Sequence, residues 1–595
     1  MSGRSARPSP AKAWLRALEM ISRIPQDPTR IFPLILHELG EGFGEAPALL
    51  SERETLTYAA LSKRVNQYAH WAIAQNLARG ETVCLLMRNR PEYLAIWLGI
   101  VQVGGVVALL NTNLSGPALG HCINIVNPRH IILEAGLDGA LKTAQAHIES
   151  NPKTWSHGEV EGYRSIDSEV KNYPAEKPST ADGRAVTIAD EALLIYTSGT
   201  TGFPKAAKVS HQRVMQWSHW FAGLLDIGPA DRMYNCLPMY HSIGGVAATA
   251  APLVNGGSVV VREKFSARQF WDDVVAFDCT MFQYIGEICR YLVLAPPHPN
   301  ETKHRLRLCA GNGLRPDVWK DFQKRFQIPQ ILEYYAATEG NVSLYNVEGE
   351  PGAIGRIPPY IAHRFPIALV KFDVDTQEPA RNTDGRCMRC AVNEIGEAIG
   401  KISEDPSRLS ARFEGYSSAA ETAKKVLHNV FEPGDAWYRT GDLMRQDARG
   451  FFFFVDRIGD TFRWKGENVA TCEVAEAMTA FPRIAQATVY GVTIPAHDGR
   501  AGMAAVVSKG ALDLIGLRKH LAERLPRYAR PLFLRVRAEI EATSTFKYVK
   551  TDLAREGYDP AATADIIYFD DPEQESFVRL DKELYGRIIA GQIRL

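Results

Sequence analysis

A short stretch of small and hydroxyl-bearing residues around a single lysine is the clearest candidate for chemistry in this sequence. Of the ten residues from Thr197 to Ala206, six are Thr, Ser or Gly, and Lys205 is the only charged one. Small residues let backbone N–H groups converge on an anion, hydroxyls add donors, and a lysine ammonium suits phosphate oxygens. The stretch is therefore predicted to hold a polyphosphate. Pro204 stands where a Walker loop requires glycine, so a loop of that type is excluded.

The elements on either side must present this loop. The apolar segment ALLIYT precedes it, AAKVSH follows it, and QRVMQWSHWFAGLL comes next. The first two have the length and composition of strands, and the third has that of a helix. The loop is predicted to join two strands, with a helix directly after the second.

The pattern of the elements before the loop indicates a parallel α/β sheet. A helix with Thr57 as its cap and Gly80 as its stop precedes a strand from Thr82 to Asn89. The 18 residues from Tyr93 to Leu110 carry no charge, but Gly104 and Gly105 divide them into a buried helix and a β-branched strand. Strand, helix and strand at this spacing predict a sheet covered on both faces, not a membrane span.

The end of the chain has a different pattern. After Asp460 we expect a helix from about Cys472, strands at AQATVYGV and MAAVVS, and a helix to Leu525. The predicted domains are therefore a large α/β domain at residues 1–459 and a small α+β domain at residues 460–595. The polar residues 150–190 are predicted to be an insertion or a long surface connection.

Composition excludes several classes of protein. Lys plus Arg and Asp plus Glu both total 68, which argues against a general nucleic-acid binder. Cys387 and Cys390 form a CxxC pair, but no second pair at zinc-site spacing accompanies them. Reduced thiols in a cytosolic protein are therefore expected.

The N-terminal segment lacks the apolar region of a secretory signal. From Ala13 it has the pattern of an amphipathic helix, with one face formed by Trp14, Leu15, Leu18, Ile21 and Ile24. Such a helix docks on the body of the protein or lies on a membrane surface, and the first interpretation is preferred.

The stretch YTSGTTGFPKAAKVSH resembles the phosphate-loop signature of the adenylate-forming enzymes: acyl-CoA synthetases, peptide-synthetase adenylation domains and luciferases. Further motifs resemble that superfamily in order: YYAATEG, with Ala336 where glycine is usual, YRTGDL, the hinge motif DRIGDTFRWKGENV, and TSTFK. YIGEICRYL, GNGLRPDVW, DTFRWKGENVAT and the ending GQIRL resemble the fatty acid transport protein and very-long-chain acyl-CoA synthetase branch.

The resemblance implies a large N-terminal adenylate-forming domain with parallel and mixed sheets, and a small mobile C-terminal domain. The activity it implies is long-chain or very-long-chain fatty acid–CoA ligation with ATP, Mg²⁺ and coenzyme A, through an acyl-adenylate. Two alternatives stay open: a fatty acyl-adenylate donor to a carrier protein, and a membrane-associated uptake protein that traps fatty acids by acylation. Localisation is expected to be cytoplasmic, with the inner face of the membrane as a peripheral site reached through the N-terminal segment; the oligomeric state is left open.

The resemblance also assigns nucleotide-binding residues. It implies that the β- and γ-phosphates are bound by Thr197, Ser198, Gly199, Thr200, Thr201, Gly202 and Lys205. It implies that adenine is bound by Tyr335 and by the backbone of Gly311, Asn312 and Gly313. Asp442 can accept both ribose hydroxyls, because a carboxylate has two oxygens, and Arg457 reaches the ribose or a phosphate. Gly466 is expected to leave room for the pantetheine arm of coenzyme A.

Catalytic roles follow from the same resemblance. Thr338 is expected to bond the α-phosphate, Glu339 to bind Mg²⁺ through hard oxygen ligands, and His241 to line the acid pocket. Lys547 is the candidate cation for pyrophosphate release. Phe546 stands where the motif normally has glycine, so Lys550 stays as the alternative.

Overall fold

The computed structural model describes residues 9–179, 185–197, 203–403, 412–495, 497, 499–543 and 547–593. Two compact units account for them. The first comprises residues 1–366 and 401–426, and the second comprises residues 367–400 and 427–595. The predicted boundary at Asp460 lies inside the second unit, so a division there stays a prediction.

The first unit contains an eight-stranded sheet. Its strands pair in the order Ser343–Asn346, Ile331–Ala336, Leu308–Asn312, Met281–Ile285, Arg232–Asn235, Ser258–Val261, Pro47–Leu50 and Thr55–Thr57. The six inner strands are parallel, and each end strand is antiparallel to its neighbour. Parallel strands need covered crossovers, which agrees with the α/β class predicted from the sequence.

A seven-stranded sheet carries the predicted phosphate loop. Its strands pair in the order Arg164–Ser165, Lys153–His157, His130–Glu134, Thr82–Leu86, Val106–Leu109, Glu191–Thr197 and Lys205–Ser210. Only the last two strands are antiparallel to each other. They form a hairpin whose first strand ends at Thr197 and whose second strand begins at Lys205. The predicted strand–loop–strand arrangement is confirmed, and the loop residues Ser198, Gly199, Thr200, Thr201 and Gly202 lie outside the described residues.

Helices supply the crossovers of the first unit. They are Pro10–Ser22, Phe32–Phe43, Tyr58–Ala74, Pro91–Gln102, Gly116–Asn124, Asp138–Ala144, Ile166–Glu169, His211–Leu224, Ala251–Leu253, Phe270–Ala276, Gly286–Leu294, Pro316–Arg325 and Ala419–Ala423. A π-helix covers Ile243–Ala250, 3₁₀ turns cover Ile24–Gln26, Gln145–His147, Val170–Asn172 and Pro359–Arg364, and a short strand covers Gly355–Arg356. The short strand Val426–His428 begins at the last residue of the first unit and ends in the second. Thr57 caps its helix through a side chain that accepts from Ala60 N, as predicted, although that helix ends at Ala74, before Gly80.

The second unit consists of β-sheets with helices. One sheet contains, in spatial order, the strands Phe451–Arg457, Ala436–Gln446, Gly396–Lys401, Ile367–Asp373 and Glu378–Pro379. A separate two-stranded hairpin pairs Phe462–Trp464 with Glu467–Val469. A five-stranded sheet follows, made of Ile484–Val492, Ala501–Ser508, Phe533–Arg537, Ile566–Asp571 and Ser576–Arg579. Its helices are Thr471–Thr479, Leu514–Arg524, Thr551–Glu556 and Lys582–Ile589, with a 3₁₀ turn at Arg527–Ala529. A hydrophobic core made of residues from Phe462 onward supports the predicted α+β class of this segment.

Two expectations about segments of the first unit need correction. The polar residues 150–190 contain the strand Lys153–His157, which pairs in parallel with His130–Glu134 and buries Trp155. They are therefore part of the sheet, because one buried indole outweighs the polar composition of the segment. Leu15 was expected on the apolar face of the first helix, but 58% of it is exposed.

The first helix docks on the body of its own unit. Trp14 is fully buried, and its ring makes edge contacts with Trp220, Tyr345 and Phe365, each with centroids 5.7 Å apart. Among the described residues, no helix is long and apolar enough to cross a membrane. The uncharged stretch after Tyr93 forms the helix Pro91–Gln102 and the strand Val106–Leu109, as predicted.

Candidate active site

The hairpin presents its two terminal residues side by side. Thr197 and Lys205 are register partners at the open end of the strands, where the loop begins and ends. Ser210 caps the following helix, because its hydroxyl accepts from Arg213 N at 3.2 Å. Local sequence therefore fixes both the loop's position and the direction of the helix that supports it.

A segment distant in sequence lies along the same hairpin. Residues 412–424, here called the strap segment, pair with its second strand through Lys208 N to Gly415 O at 3.0 Å and Ser417 N to Ala206 O at 2.8 Å. Glu414 accepts from Ser210 N at 2.8 Å and from its hydroxyl at 2.6 Å. This contact brings two further polar side chains of the strap segment, Tyr416 and Glu421, to the loop.

Lys205 forms an ion pair with Glu421 of the strap segment. The bond from Lys205, followed by that from Lys424, lowers the pKa of the Glu421 carboxyl to about 2. Lys205 Nζ also lies 5.7 Å from the centroid of the Tyr416 ring. The predicted phosphate lysine is thus held at the mouth of the loop by an anion from the protein itself.

Tyr416 connects this lysine to the predicted metal ligand. It is 5% exposed, and its hydroxyl donates to Glu339 Oε1 at 2.8 Å. The phenol oxygen of Tyr416 also accepts a hydrogen bond from the Thr197 side chain. Burial and the Glu339 charge raise the pKa of Tyr416 above its usual range. The phenol therefore stays protonated and donates to Glu339 at any ordinary pH.

Thr338, the residue before Glu339, is held through both its side chain and its carbonyl. Its hydroxyl lies 3.0 Å from Ser242 Oγ, and Arg213 Nη1 donates to its carbonyl oxygen at 2.9 Å. The buried Arg213 guanidinium also donates to Arg412 O at 2.8 Å. This arginine therefore ties the Thr338–Glu339 loop to the strap segment and the hairpin helix.

His241 lies next to Ser242 at the start of the π-helix Ile243–Ala250. Burial lowers the pKa of His241 to about 4, so its imidazole is neutral near neutral pH. Gly244 follows in the π-helix, where an added Cβ would lie 2.3 Å from Pro238 O. π-helical turns of this kind frequently mark functional sites.

The predicted adenine residues lie at the carboxyl ends of two neighbouring strands. Gly311 is buried in Leu308–Asn312, and a Cβ there would lie 2.3 Å from Tyr284 O, so only glycine fits. Asn312 and Gly313 are exposed beyond it, and Tyr335 is partly exposed near the end of Ile331–Ala336. Carboxyl ends of parallel strands are where ligands bind in open α/β sheets.

The buried Glu333 carboxyl group forms hydrogen bonds next to this edge of the sheet. The residue is 2% exposed and accepts from Tyr284 Oη at 2.6 Å and from Leu314 N at 3.1 Å. Burial raises the pKa of Glu333 to about 8, although these hydrogen bonds oppose the shift. Its carboxyl group fixes the turn that follows Gly311.

The remaining predicted residues belong to the second unit. Asp442 and Arg457 are register partners on two antiparallel strands, and Arg457 Nε lies 3.8 Å from Asp442 Oδ1. Gly466 has φ +83° and follows Lys465 with φ +53° in the turn between Trp464 and Glu467. Two positive φ values are typical of a tight hairpin turn, which gives this glycine a structural reason independent of coenzyme A.

The two candidate lysines of the second unit have different surroundings. Lys550 Nζ lies 3.1 Å from Asp460 Oδ2 and donates to Thr471 Oγ1 at 3.1 Å. Among the described residues, no carboxylate lies within ion-pair distance of Lys547 Nζ. Burial, and next the charge of Arg457, lower the pKa of Lys547 to about 8.

The donor set suits a magnesium–nucleotide complex. Among the residues that the structure describes, no three His, Cys, Asp or Glu side chains cluster to hold a metal by themselves. Mg²⁺ is commonly bound by one or two carboxylates together with substrate phosphates. Glu339 beside the hairpin provides such a carboxylate, with Thr197 and Thr338 hydroxyls nearby in the same unit.

Sequence reasoning missed several residues of this arrangement: Arg213, Ser242, Glu333, Glu414, Tyr416 and Glu421. A local signal existed only for Glu421, because Ser418 and Glu421 have the spacing of a capping box and Ser418 Oγ accepts from Glu421 N at 3.4 Å. That signal predicts a helix start and gives no sign of the ion pair with Lys205.

Comparisons with known proteins identify the family of the chain. Residues 36–381 match the family model for AMP-binding enzymes, and residues 473–547 match that for the AMP-binding enzyme C-terminal domain. Long-chain fatty acid transport protein 1 of Mus musculus is 40% identical over 546 residues, 91% of this chain and 84% of that protein.

Solved structures show the same fold at low identity. An anthranilate CoA ligase in complex with anthranoyl-AMP has a TM-score of 0.76 at 20% identity and covers 91% of this chain and 98% of its own. A Mycobacterium tuberculosis fatty acyl CoA synthetase has a TM-score of 0.62 at 21% identity, covering 88% and 98%. The chain therefore belongs to the AMP-binding enzyme family, in the branch of the long-chain fatty acid transport proteins and very-long-chain acyl-CoA synthetases.

Proposed function

We propose that the protein is a long-chain or very-long-chain fatty acid–CoA ligase that converts ATP, a fatty acid and coenzyme A to acyl-CoA, AMP and pyrophosphate. The observation that carries the proposal is the convergence of Thr197, Lys205 and Glu339 around Tyr416 at the phosphate hairpin. A fixed cation, hydroxyl donors and a metal-binding carboxylate are what a nucleoside triphosphate requires.

The first half-reaction activates the acid. A carboxylate oxygen of the fatty acid attacks the α-phosphorus of ATP, and the bond from that phosphorus to the bridging oxygen breaks. Pyrophosphate leaves with the electron pair, and a mixed anhydride of acid and AMP remains. Because charge develops on the phosphates, groups fixed beforehand lower the barrier more than groups that must reorganise.

Residues of the first unit would hold the triphosphate and the acid. Lys205 and the Thr197 hydroxyl would bind the terminal phosphates, and Thr338 the α-phosphate. Glu339 would hold Mg²⁺, which when bound neutralises part of the phosphate charge. The neutral His241 would meet the fatty carboxylate as a hydrogen-bonding group without adding a second cation.

The family resemblance assigns further roles to residues of the second unit. Asp442 would accept from the ribose hydroxyls, and Arg457 Nε lies 3.8 Å from its Oδ1. Lys547 would stabilise the leaving pyrophosphate, because a lysine with a lowered pKa and no ion pair among the described residues gains most from meeting an anion. Lys550 is already engaged by Asp460 and Thr471, so we assign it a structural role.

The second half-reaction forms the thioester. The sulfur of coenzyme A attacks the acyl carbon, the bond to the AMP oxygen breaks, and the thiol proton is released. Neither pyrophosphate nor its cation takes part. We expect the C-terminal domain to move between the two half-reactions, with Asp460 at the hinge and Gly466 next to the pantetheine arm.

The branch of the family supports an apolar acid as substrate. Each buried methylene contributes about 0.8 kcal/mol, so ten extra methylenes outweigh any difference between acid head groups. The decisive experiment is a coenzyme A ligation assay with the purified protein across acids from acetate to C24. Product from palmitate or longer acids far above acetate supports the proposal; preference for acetate or an amino acid would overturn it.

The same assay tests the first alternative. Formation of acyl-adenylate without any acyl-CoA would indicate a donor to a carrier protein. Peripheral association with the inner face of the membrane is a further proposal, suggested by the N-terminal helix with its exposed Leu15. Fractionation with and without high salt tests it, since a peripheral protein is released by salt and remains in the pellet without it.

A further inference from the structure

The contacts of Tyr416 point to a role that the sequence motifs do not assign. Its hydroxyl group contacts Glu339 and Thr197, and its ring lies beside Lys205. These are the predicted metal ligand, one end of the phosphate loop and its lysine. One side chain from a segment about 80 residues further along the chain than Glu339 thus contacts all three.

The backbone holds Tyr416 in this position from two sides. Tyr416 forms an isolated β-bridge with Ala207 of the hairpin, and its N–H donates to Thr422 Oγ1 at 2.9 Å. Thr422 Oγ1 in turn donates to Ser418 O at 2.9 Å. The ring is therefore fixed by the strap segment, so its hydroxyl has a defined direction.

That direction matters for Glu339. A carboxylate that binds Mg²⁺ must present an oxygen at near-ideal octahedral geometry, and outer hydrogen bonds to ligating carboxylates fix their orientation. The hydrogen bond of 2.8 Å to Glu339 Oε1 restrains the rotation of the carboxylate and leaves Oε2 as the oxygen that would bind Mg²⁺. While the Tyr416 hydroxyl donates its proton to Glu339, the phenol cannot replace the carboxylate as a ligand of the metal.

We propose that Tyr416 is a positioning residue that orients the Glu339 carboxylate for the magnesium–nucleotide complex and couples it to the phosphate loop through Thr197. The inference rests on the proposed function, because it assumes that Glu339 meets the metal of bound ATP. Tyr416 touches neither the metal nor the nucleotide in this account, so it acts only through its neighbours.

The test compares nucleotide binding with and without magnesium. Tyr416→Phe keeps the ring beside Lys205 and removes only the hydroxyl. Calorimetric titration with a non-hydrolysable ATP analogue should show a three- to tenfold weaker affinity in the presence of Mg²⁺ and a change below twofold in its absence. The Mg²⁺ concentration for half-maximal adenylation should rise by a similar factor, with kcat at saturating Mg²⁺ close to wild type.

Tyr58→Phe is the matched control. Tyr58 is another buried phenol of the first unit; its hydroxyl donates to Gly257 O at 2.6 Å, and Leu253 O lies 3.1 Å away. It should lower thermal stability without changing the Mg²⁺ dependence. In a Glu339→Gln background, Tyr416→Phe should add less than a twofold effect, because a residue acting through Glu339 has nothing left to orient.

The outcomes separate the inference from the proposed function. If the wild-type protein binds the analogue equally with and without Mg²⁺, or not at all, the proposed function fails at this site. If the wild type depends on Mg²⁺ but Tyr416→Phe behaves like it, the inference is wrong. Equal weakening with and without Mg²⁺, or full additivity with Glu339→Gln, would also overturn it.

Discussion

Two lysines predicted to serve the phosphates of ATP lie in opposite electrostatic surroundings. Lys205 in the first unit forms an ion pair with a carboxylate whose pKa is lowered to about 2. Burial lowers the pKa of Lys547 in the second unit to about 8, and no carboxylate among the described residues lies within ion-pair distance of it. The charge of Lys205 is already balanced, whereas the charge of Lys547 gains its counterion only from a ligand.

The difference suggests a division of labour. A lysine with a resident carboxylate gains little net energy when phosphates bind, because the phosphates only replace the anion that is already there. A desolvated lysine without one contributes most where negative charge newly develops, which is on pyrophosphate as it leaves. Removing the ion pair of Lys205 and removing the buried charge of Lys547 should therefore change different steps of the reaction.

The largest effect is expected from Lys547→Ala. It should slow acyl-adenylate formation by roughly 10²–10⁴, the scale for one preorganised electrostatic group. Given preformed acyl-adenylate and coenzyme A, the variant should make thioester at a near-normal rate. Single-turnover assays of each half-reaction measure both quantities.

Lys550→Ala is the control for that variant. Because Lys550 is held by Asp460 and Thr471, its loss should lower stability slightly and leave both half-reactions nearly intact. The assignment of Lys547 is wrong if Lys550→Ala abolishes adenylation while Lys547→Ala does not. Equal slowing of both halves by Lys547→Ala would indicate misfolding.

The next largest effect concerns the ribose. Asp442→Ala should raise the KM for ATP by about 10- to 100-fold, because hydrogen bonds to a charged acceptor are worth about 1.5–3 kcal/mol. The variant should also lose the discrimination between ATP and 2′-deoxy-ATP that we expect of the wild type. Steady-state kinetics with both nucleotides measures this, and unchanged ATP kinetics in the folded variant would exclude the ribose role.

The pH dependence should separate the two lysines directly. Lysine carries charge below its pKa, and the pKa of Lys547 is lowered to about 8, so its charge is lost as pH rises through 8. Adenylation should therefore fall about tenfold per unit above pH 8. Lys547→Arg, whose guanidinium stays charged, should show a flat profile over the same range if it retains activity.

This prediction has a clear contrary result. Pyrophosphate exchange that stays constant to pH 10 in the wild type would mean that the charge of Lys547 does not limit the step. An identical decline in wild type and Lys547→Arg would assign the titration to another group.

The smallest effect is expected at the other lysine. Glu421→Gln removes the anion that the phosphates must displace from Lys205, so the affinity for ATP should rise about two- to fivefold. Calorimetric titration measures it. Glu38→Gln, which removes the carboxylate of a different, more exposed ion pair, should have no effect. Weaker ATP binding by Glu421→Gln would show that the ion pair supports the hairpin more than it competes with ATP.

Local signals explain which features were predictable. The break at Gly104, which has φ +89°, and the cap at Thr57 are encoded within a few residues, and so are the hairpin and the helix that follows it. Motif resemblance supplied Glu339, Asp442 and Lys547. Each of these depends on residue types at short spacing.

Contacts between distant segments were not predictable in this way. Lys205 and Glu421 are more than 200 residues apart, and Tyr416 reaches Glu339 across 77 residues, so no periodicity connects them. The strand Lys153–His157 was missed because its alternation is polar at one end and only Trp155 and Ser156 are buried. The motif already favoured Lys547 over Lys550, but the ion pair of Lys550 with Asp460, which separates the two lysines, depends on the fold.

The most direct test of the account is fatty-acid-dependent exchange of labelled pyrophosphate into ATP in the absence of coenzyme A. Only an enzyme that forms an acyl-adenylate reversibly can return the label to ATP before any thiol is present. The account predicts rapid exchange with palmitate, far slower exchange with acetate, and almost none with Lys547→Ala. Exchange that requires coenzyme A, or that is as fast with acetate as with palmitate, would contradict it.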